Sequence, residues 1–476
     1  MKPSKSVFGA VALAAGLLAS AGQAQAAATI IINNINAAGV GFNDSTPATP
    51  VGGNTGTTIG QQRLIAFTYA ANIWGATLTS SQPIVINAQF SALACDSSSA
   101  TLGSAGATST FRNFANAPRT NTWYSYALAN KLAGAYLGTA NAAQINANFN
   151  VNLGNTGCLD GTHWYLGLDA AHGNDIDFVA TLLHEMAHGL GFQTFTNGSS
   201  GAFSSGFPSV WDYYLTGTAT GLAWADMTAA QRKASALSVT GLVWNGPIVT
   251  AAVPSVLRQG QPGLAITGTA AGTAAGSYAV GEASFGNPLT ASGISGQVMP
   301  VVNADGSLSL ACDPISGSAA LAVRGNVALV SRGTCGFTVK VKNMQDAGAI
   351  AVLVADNAAG APAGMGGSDA TITIPSVRIE QAAGAKLLAS LARRSRTSSG
   401  VVALLSISGT QYSGADAQNR ILMYAPATYA SGSSVSHYDT TPFPNQLMEY
   451  AINGDLTHSV IPPQDLTYRL LQDIGW

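Results

Sequence analysis

The sequence predicts an α+β protein in which a domain with a twisted sheet and a functional helix is interrupted by a smaller α/β domain. Three observations point there. A helical pattern ending near Leu190 contains His184-Glu185-Met186-Ala187-His188. Helix and strand patterns alternate ahead of it, and from about Ala275 to Gly409 short apolar strands alternate with helices in a separate rhythm.

At the start of the chain, Lys2 and Lys5 precede an apolar run from Val7 to Leu18 and the small-residue site Ala24-Gln25-Ala26. This reads as a Sec-type signal peptide, residues 1–26, and implies an extracellular or periplasmic protein. The run is too short to span a bilayer, and no later stretch is long enough, so no transmembrane anchor is expected after cleavage. Gly39 to Gly60 reads as a loop. Its lone carboxylate, Asp44, gives calcium no real support. Gln61–Leu78 carries Ile65, Tyr69, Ile73 and Trp74 at helical spacing, and Pro83–Phe90 reads as a strand. Trp123–Leu137 reads as a second helix, Ala147–Leu153 alternates as a strand, and His163–Leu168 reads as a strand edging a cleft. Either of these last two strands could pair with an extended peptide.

In the next helix Asn174 or Asp175 is the expected N-cap, and Val179, Leu183, Met186 and Leu190 form its buried stripe. Gly189 and Gly191 are expected to stop it. Two histidines four residues apart share a helix face, so both imidazoles can reach one metal ion. Glu185 is placed to act as a base beside it. A catalytic zinc needs a third protein ligand. The candidates for it are His437, His172, His163, His458 and Glu449.

The chain has 476 residues, 47% of them apolar and 9% charged, with net charge −2. That length is ample for two or three domains with real cores. The balance and the lack of a basic run argue against a nucleic-acid partner or an anionic membrane surface. Four cysteines, an even number in an exported chain, predict disulfides. Three pairings are open, and domain logic favours Cys95–Cys158 and Cys312–Cys335.

Two resemblances extend this reading. The segment His184–Phe192, a long insertion, Ser436-His437, Leu447-Met448 and the closing Leu470–Trp476 together resemble the leishmanolysin-like branch of the metzincins. The likeness covers about 20 residues at the helix and roughly the last 50. It implies a metzincin-like peptidase fold and a secreted zinc endopeptidase acting on proteins or peptides. His184, His188 and His437 would be the zinc ligands, Glu185 the general base and Met448 the methionine turning beneath the metal. Tyr450, two residues after Met448, would help stabilise the oxyanion, with Tyr438 as second candidate. Thr194 stands where a compact metzincin has its third histidine. That departure favours the alternative, a secreted binding or adhesive protein on a degenerate peptidase scaffold; a zinc amidase or esterase is a further rival.

The second resemblance lies in Ala328-Leu329-Val330, Arg332-Gly333-Thr334-Cys335-Gly336-Phe337, the helix Lys340 to Gly348, the strand after it, Ile374–Val377 and the helix near Gln381–Leu391. Together these look like a protease-associated (PA) domain, a non-catalytic insertion expected to contact substrate or a partner. The implied organisation is a peptidase domain in two parts, 27–274 and 410–476, around a PA domain at 275–409.

Overall fold

The computed structural model describes residues 27–97, 99–367 and 369–476; the expected signal peptide lies outside the described residues. Strand β1 (Ile30–Asn34) leads through helix α1 (Ile59–Thr77) to the parallel strand β2 (Ile84–Ser91). Thr58 caps α1, accepting from the Gln61 N–H at 3.2 Å, and Ala66, Phe67, Ala70 and Trp74 form its buried face. Next come β3 (Gly103–Ala107), α2 (Tyr126–Ala133, ended by Gly134 at φ 66°) and β4 (Ile145–Asn150). The sheet order is β1-β2-β4-β3, with β4 parallel to β2 and β3 antiparallel at the edge.

Helix α3 (Phe178–Leu190) carries the histidine motif. It docks through Phe178, whose ring meets Phe90 and Phe149 of the sheet at 5.4 and 5.2 Å. Trp74 of α1 donates its indole N–H to the Leu183 carbonyl at 3.1 Å, so α1 backs α3 directly. A disulfide joins Cys95 to Cys158, pinning the segment after β2 to the turn after β4. Helix α4 (Pro247–Val256) closes this part of the chain.

The chain then builds an eight-stranded mixed sheet. Its strands are β5 (Gln259–Thr267), β6 (Gly276–Ala279), β7 (Gly281–Glu282), β8 (Ile294–Pro300), β9 (Val327–Ser331), β10 (Ala351–Ala355), β11 (Ser376–Ile379) and β12 (Val402–Tyr412). Their order is β6-β5-β12-β8-β9-β10-β11-β7, with β8 to β11 parallel. Helix α5 (Phe337–Asp346) lies between β9 and β10, and α6 (Gln381–Ser390) follows β11. Alternate residues of β9 and β10 serve two cores: Leu329 and Leu353 pack with Leu387 of α6, while Val330 and Val354 pack with Val341 and Met344 of α5. Burial on both faces explains why these strands read as unbroken apolar runs. The sheet begins at Gln259. The second disulfide, Cys312–Cys335, lies in this unit.

Beyond Tyr412 the chain returns to the first core, adding Ile421, Met423, Leu447, Met448 and helix α7 (Thr467–Ile474). Trp476 donates its indole N–H to the Leu190 carbonyl at 2.8 Å, tying the C-terminus to the end of α3. Among the described residues no helix is long and apolar enough to cross a membrane.

The expected α+β class is corrected to α/β: in both sheets parallel strands are joined through helices. The sequence patterns located strands but carried no pairing direction, which long-range contacts decide. The expected edge strands are also corrected. Ile145–Asn150 lies inside its sheet, and only Trp164–Tyr165 of the 163–168 segment is extended, pairing with Ile176–Asp177. The edge strands are β1 and β3, and β3, the one that lines the cleft beside α3, has a Gly-Ser-Ala-Gly-Ala sequence with no alternation to reveal it.

Candidate metal centre

Helix α3 begins at Asp177, not at Asn174 or Asp175. The Asp177 carboxylate accepts from the Ala180 N–H at 3.1 Å and pairs with His458 Nε2 at 2.7 Å. Gly191 ends the helix at φ 123°. Gly189 sits inside it, where a Cβ would lie 2.4 Å from Ile145 Cγ2, so glycine there allows close docking of α3 on the sheet.

His184 and His188 project from one face of α3 and meet His437 from the returning chain. The three Nε2 atoms form a triangle with sides of 3.2, 3.1 and 3.2 Å. Each Nδ1 faces a backbone carbonyl: Leu447 at 2.7 Å for His184, Phe192 at 2.8 Å for His188 and Ser433 at 2.8 Å for His437. Nδ1–H therefore donates outward, and each Nε2 turns a lone pair to the common centre. Three converging lone pairs repel one another unless a cation lies between them. Tetrahedral zinc with bonds of about 2.0–2.1 Å would separate its nitrogens by roughly 3.3 Å, so the donor set fits that ion. Burial also keeps the rings neutral, pushing His184 down to about 3 and His188 to about 4, and holding His437 well below its ordinary value. Among the described residues this is the one His/Cys/Asp/Glu group close enough to share a metal.

The competing ligands are engaged elsewhere. His172 Nδ1 faces the Asp175 carbonyl at 2.8 Å, His163 lies 3.9 Å from Asp175, and His458 pairs with Asp177. Glu449 is buried, accepting from the Gln446 N–H at 2.8 Å and the Asn453 amide at 2.9 Å. Met448 is fully buried and follows Leu447, whose carbonyl holds His184.

Glu185 faces a cleft of about 510 Å³ beside the triad. Burial pushes its carboxyl up to about 8, opposed by the Ala105 N–H of β3. Gly103 of the same strand approaches so closely that a Cβ would lie 3.1 Å from Glu185 Oε1. The remaining lining is neutral, including Thr101, Ser104, Gln193, Thr194, Thr196, Tyr429 and the serines of 431–436. Neither expected tyrosine lines it. Tyr450 is 42% exposed and stacks on Tyr424, with ring centroids 4.4 Å apart; Tyr438 is fully buried against Phe192. The phenol on the cleft wall is Tyr429, in a loop with no motif to mark it.

Residues 296–387 match the PA domain family model. A rice (Oryza sativa subsp. japonica) protein, "Receptor homology region, transmembrane domain- and RING domain-containing protein 1", is 39% identical over 104 residues, 22% of this chain and 19% of that protein. The chain thus spans about a fifth of the length of this curated relative. Among solved structures, the zinc aminopeptidase BSAP from Bacillus subtilis shares 17% identity over 34% of this chain and 36% of its own, at TM-score 0.22. A peptidase M28 precursor from Shewanella amazonensis SB2B shares 16% over 33% and 38%, at TM-score 0.24.

The class these findings define is a protein that carries a PA domain together with a buried three-histidine cluster. The leishmanolysin-like, metzincin-type assignment is therefore corrected to what is matched, a PA domain at residues 296–387. That resemblance rests on short motifs at two ends of the chain, and helical His-Glu-x-x-His spacing recurs wherever two imidazoles must face one ion.

Proposed function

We propose that this chain is an exported zinc-dependent peptidase that cuts within peptide chains. The observation that carries the reading is the triangle of Nε2 atoms, each imidazole fixed by a carbonyl, with Glu185 beside it at the cleft. His184, His188 and His437 would hold the metal. Zinc there would supply a Lewis acid that polarises the scissile carbonyl and lowers the pKa of water towards neutrality.

Glu185 takes the proton from the attacking water and delivers it to the leaving amine. The Ala105 N–H orients that carboxylate, and Gly103 leaves room for it. Strand β3 has one edge unpaired in its sheet, where an extended substrate can add as a further strand. Among the lining residues Glu185 is the single carboxylate, and none is Lys or Arg. Apart from Glu185, taken above as the base, no lining residue offers a charge to hold a terminal ammonium or carboxylate, which favours chain interiors over chain ends. Export is proposed from the signal-peptide pattern together with the two disulfides.

The test compares the parent with His437→Ala for zinc content and for hydrolysis of casein and of peptides with free or acetylated N-termini. One zinc per chain, equal cutting of both peptide forms, and loss of metal and activity in the variant are expected. Cutting of free N-termini alone would replace the endopeptidase reading with an aminopeptidase. A parent that neither binds zinc nor hydrolyses peptides would point to a binding protein.

A further inference from the structure

Thr194 and its neighbours lie between the two halves of the histidine triad, and one buried carboxylate organises them. Asp212 is fully buried. Its Oδ1 accepts from the Thr194 hydroxyl at 2.7 Å, and its Oδ2 accepts from the Thr196 hydroxyl, the Ser209 N–H and the Ser209 hydroxyl at 2.6, 2.7 and 2.8 Å. No Lys or Arg makes an ion pair with it among the described residues, so these four bonds are what hold it in place. From this hub, bonds reach the elements that carry the ligands. The Thr194 N–H donates to the Ser436 hydroxyl at 3.2 Å, one residue before His437. Neighbouring Trp211 donates its indole N–H to the Val435 carbonyl at 3.2 Å, holding a residue in the left-handed region at φ 64°. The Trp211 ring also packs on Phe192, 4.8 Å between centroids, and the Phe192 carbonyl holds His188.

We infer that Asp212 is a positioning residue for the metal, joining the turn after α3 to the His437 loop so that the split triad stands in register before the ion arrives. The inference rests on the zinc-site reading above. His437 comes from a segment about 250 residues downstream in sequence, and without a strut its loop would have to be ordered by the ion, which lowers affinity. Asp212→Asn keeps the shape, but an amide presents one acceptor oxygen where the carboxylate has two, so the four donors cannot all be accepted as before.

The experiment measures zinc dissociation constants by chelator competition, well below the unfolding temperature, for the parent, Asp212→Asn and a control, Val253→Ala. Val253 is buried on α4 and outside the strut. The expected result is a loss of zinc affinity of roughly 10–100-fold in Asp212→Asn, with Val253→Ala losing thermal stability and keeping parental affinity. Parental affinity in a folded Asp212→Asn would overturn the inference and leave the zinc site standing, whereas a parent without zinc would take both down. If Asp212→Asn does not fold, Ser436→Ala removes the Thr194–Ser436 link alone. A several-fold loss of zinc affinity in that variant supports the strut, and no loss overturns it.

Discussion

Burial beside three neutral imidazoles pushes the Glu185 carboxyl up to about 8 even with the Ala105 N–H of the sheet edge opposing it, and a cation at the triad would favour its charged form. Glu185→Gln retains the size and the zinc ligands but cannot accept a proton. Peptide hydrolysis should fall by about 10²–10⁴-fold while zinc content stays at the parental level, measured on the same preparation. Substantial residual turnover would remove Glu185 as the base. The histidine pair and the glutamate were legible from their spacing alone. Tyr429 and Asp212 were not, because each lies in a loop and matters only through what folding brings next to it.

Helix α3 shows what holds the centre at the level of an element. Asp177 both caps it and pairs with His458 from the far end of the chain. Asp177→Ala should cost about 1–2 kcal/mol in denaturant unfolding of the metal-free protein, the upper figure including the abandoned His458. Asp177→Asn, which keeps the cap, should cost less, and equal losses would assign the whole effect to the ion pair. In the PA unit, Lys340 is buried beneath the Cys312–Cys335 bridge, its ammonium donating to the Leu310 and Gly333 carbonyls at 2.6 and 2.7 Å. Desolvation lowers it to about 8 from 10.5. Between those pH values the unfolded chain holds the proton and the folded chain does not, so stability contributed here rises from about pH 8 towards 10.5. The parent should therefore gain on Lys340→Met when unfolding is compared at pH 8 and pH 10. A constant difference would show that the ammonium is solvated in the fold.

On the scale of the whole molecule, the PA unit is clamped to the segment that supplies His437. Arg258 pairs with Glu282 through both oxygens, at 3.2 and 2.6 Å, lies 4.0 Å over the Phe443 ring, and donates its backbone N–H to the Phe443 carbonyl. Arg258→Ala would leave Glu282 buried without its cation and should destabilise the protein by about 3 kcal/mol. Because the junction borders the His437–Met448 segment, hydrolysis of large proteins should change relative to short peptides. An unchanged melting temperature and an unchanged substrate ratio would show the clamp to be idle.

By itself the sequence located the helix with its two histidines and glutamate, the apolar strands and glycine turn of the PA unit, and several of the helices and strands around them. These are local signals, set by residue spacing within one turn or one strand. Only the tertiary structure decided that the strands run parallel in two mixed sheets, that β3 is the free edge along the cleft, that Asp177 rather than Asn174 or Asp175 caps the helix, and that His437 meets the helical pair from across the inserted unit. Each of these depends on contacts between residues tens to hundreds of positions apart. A one-dimensional pattern carries no pairing direction and no distance between its ends, so packing of the two cores had to settle them.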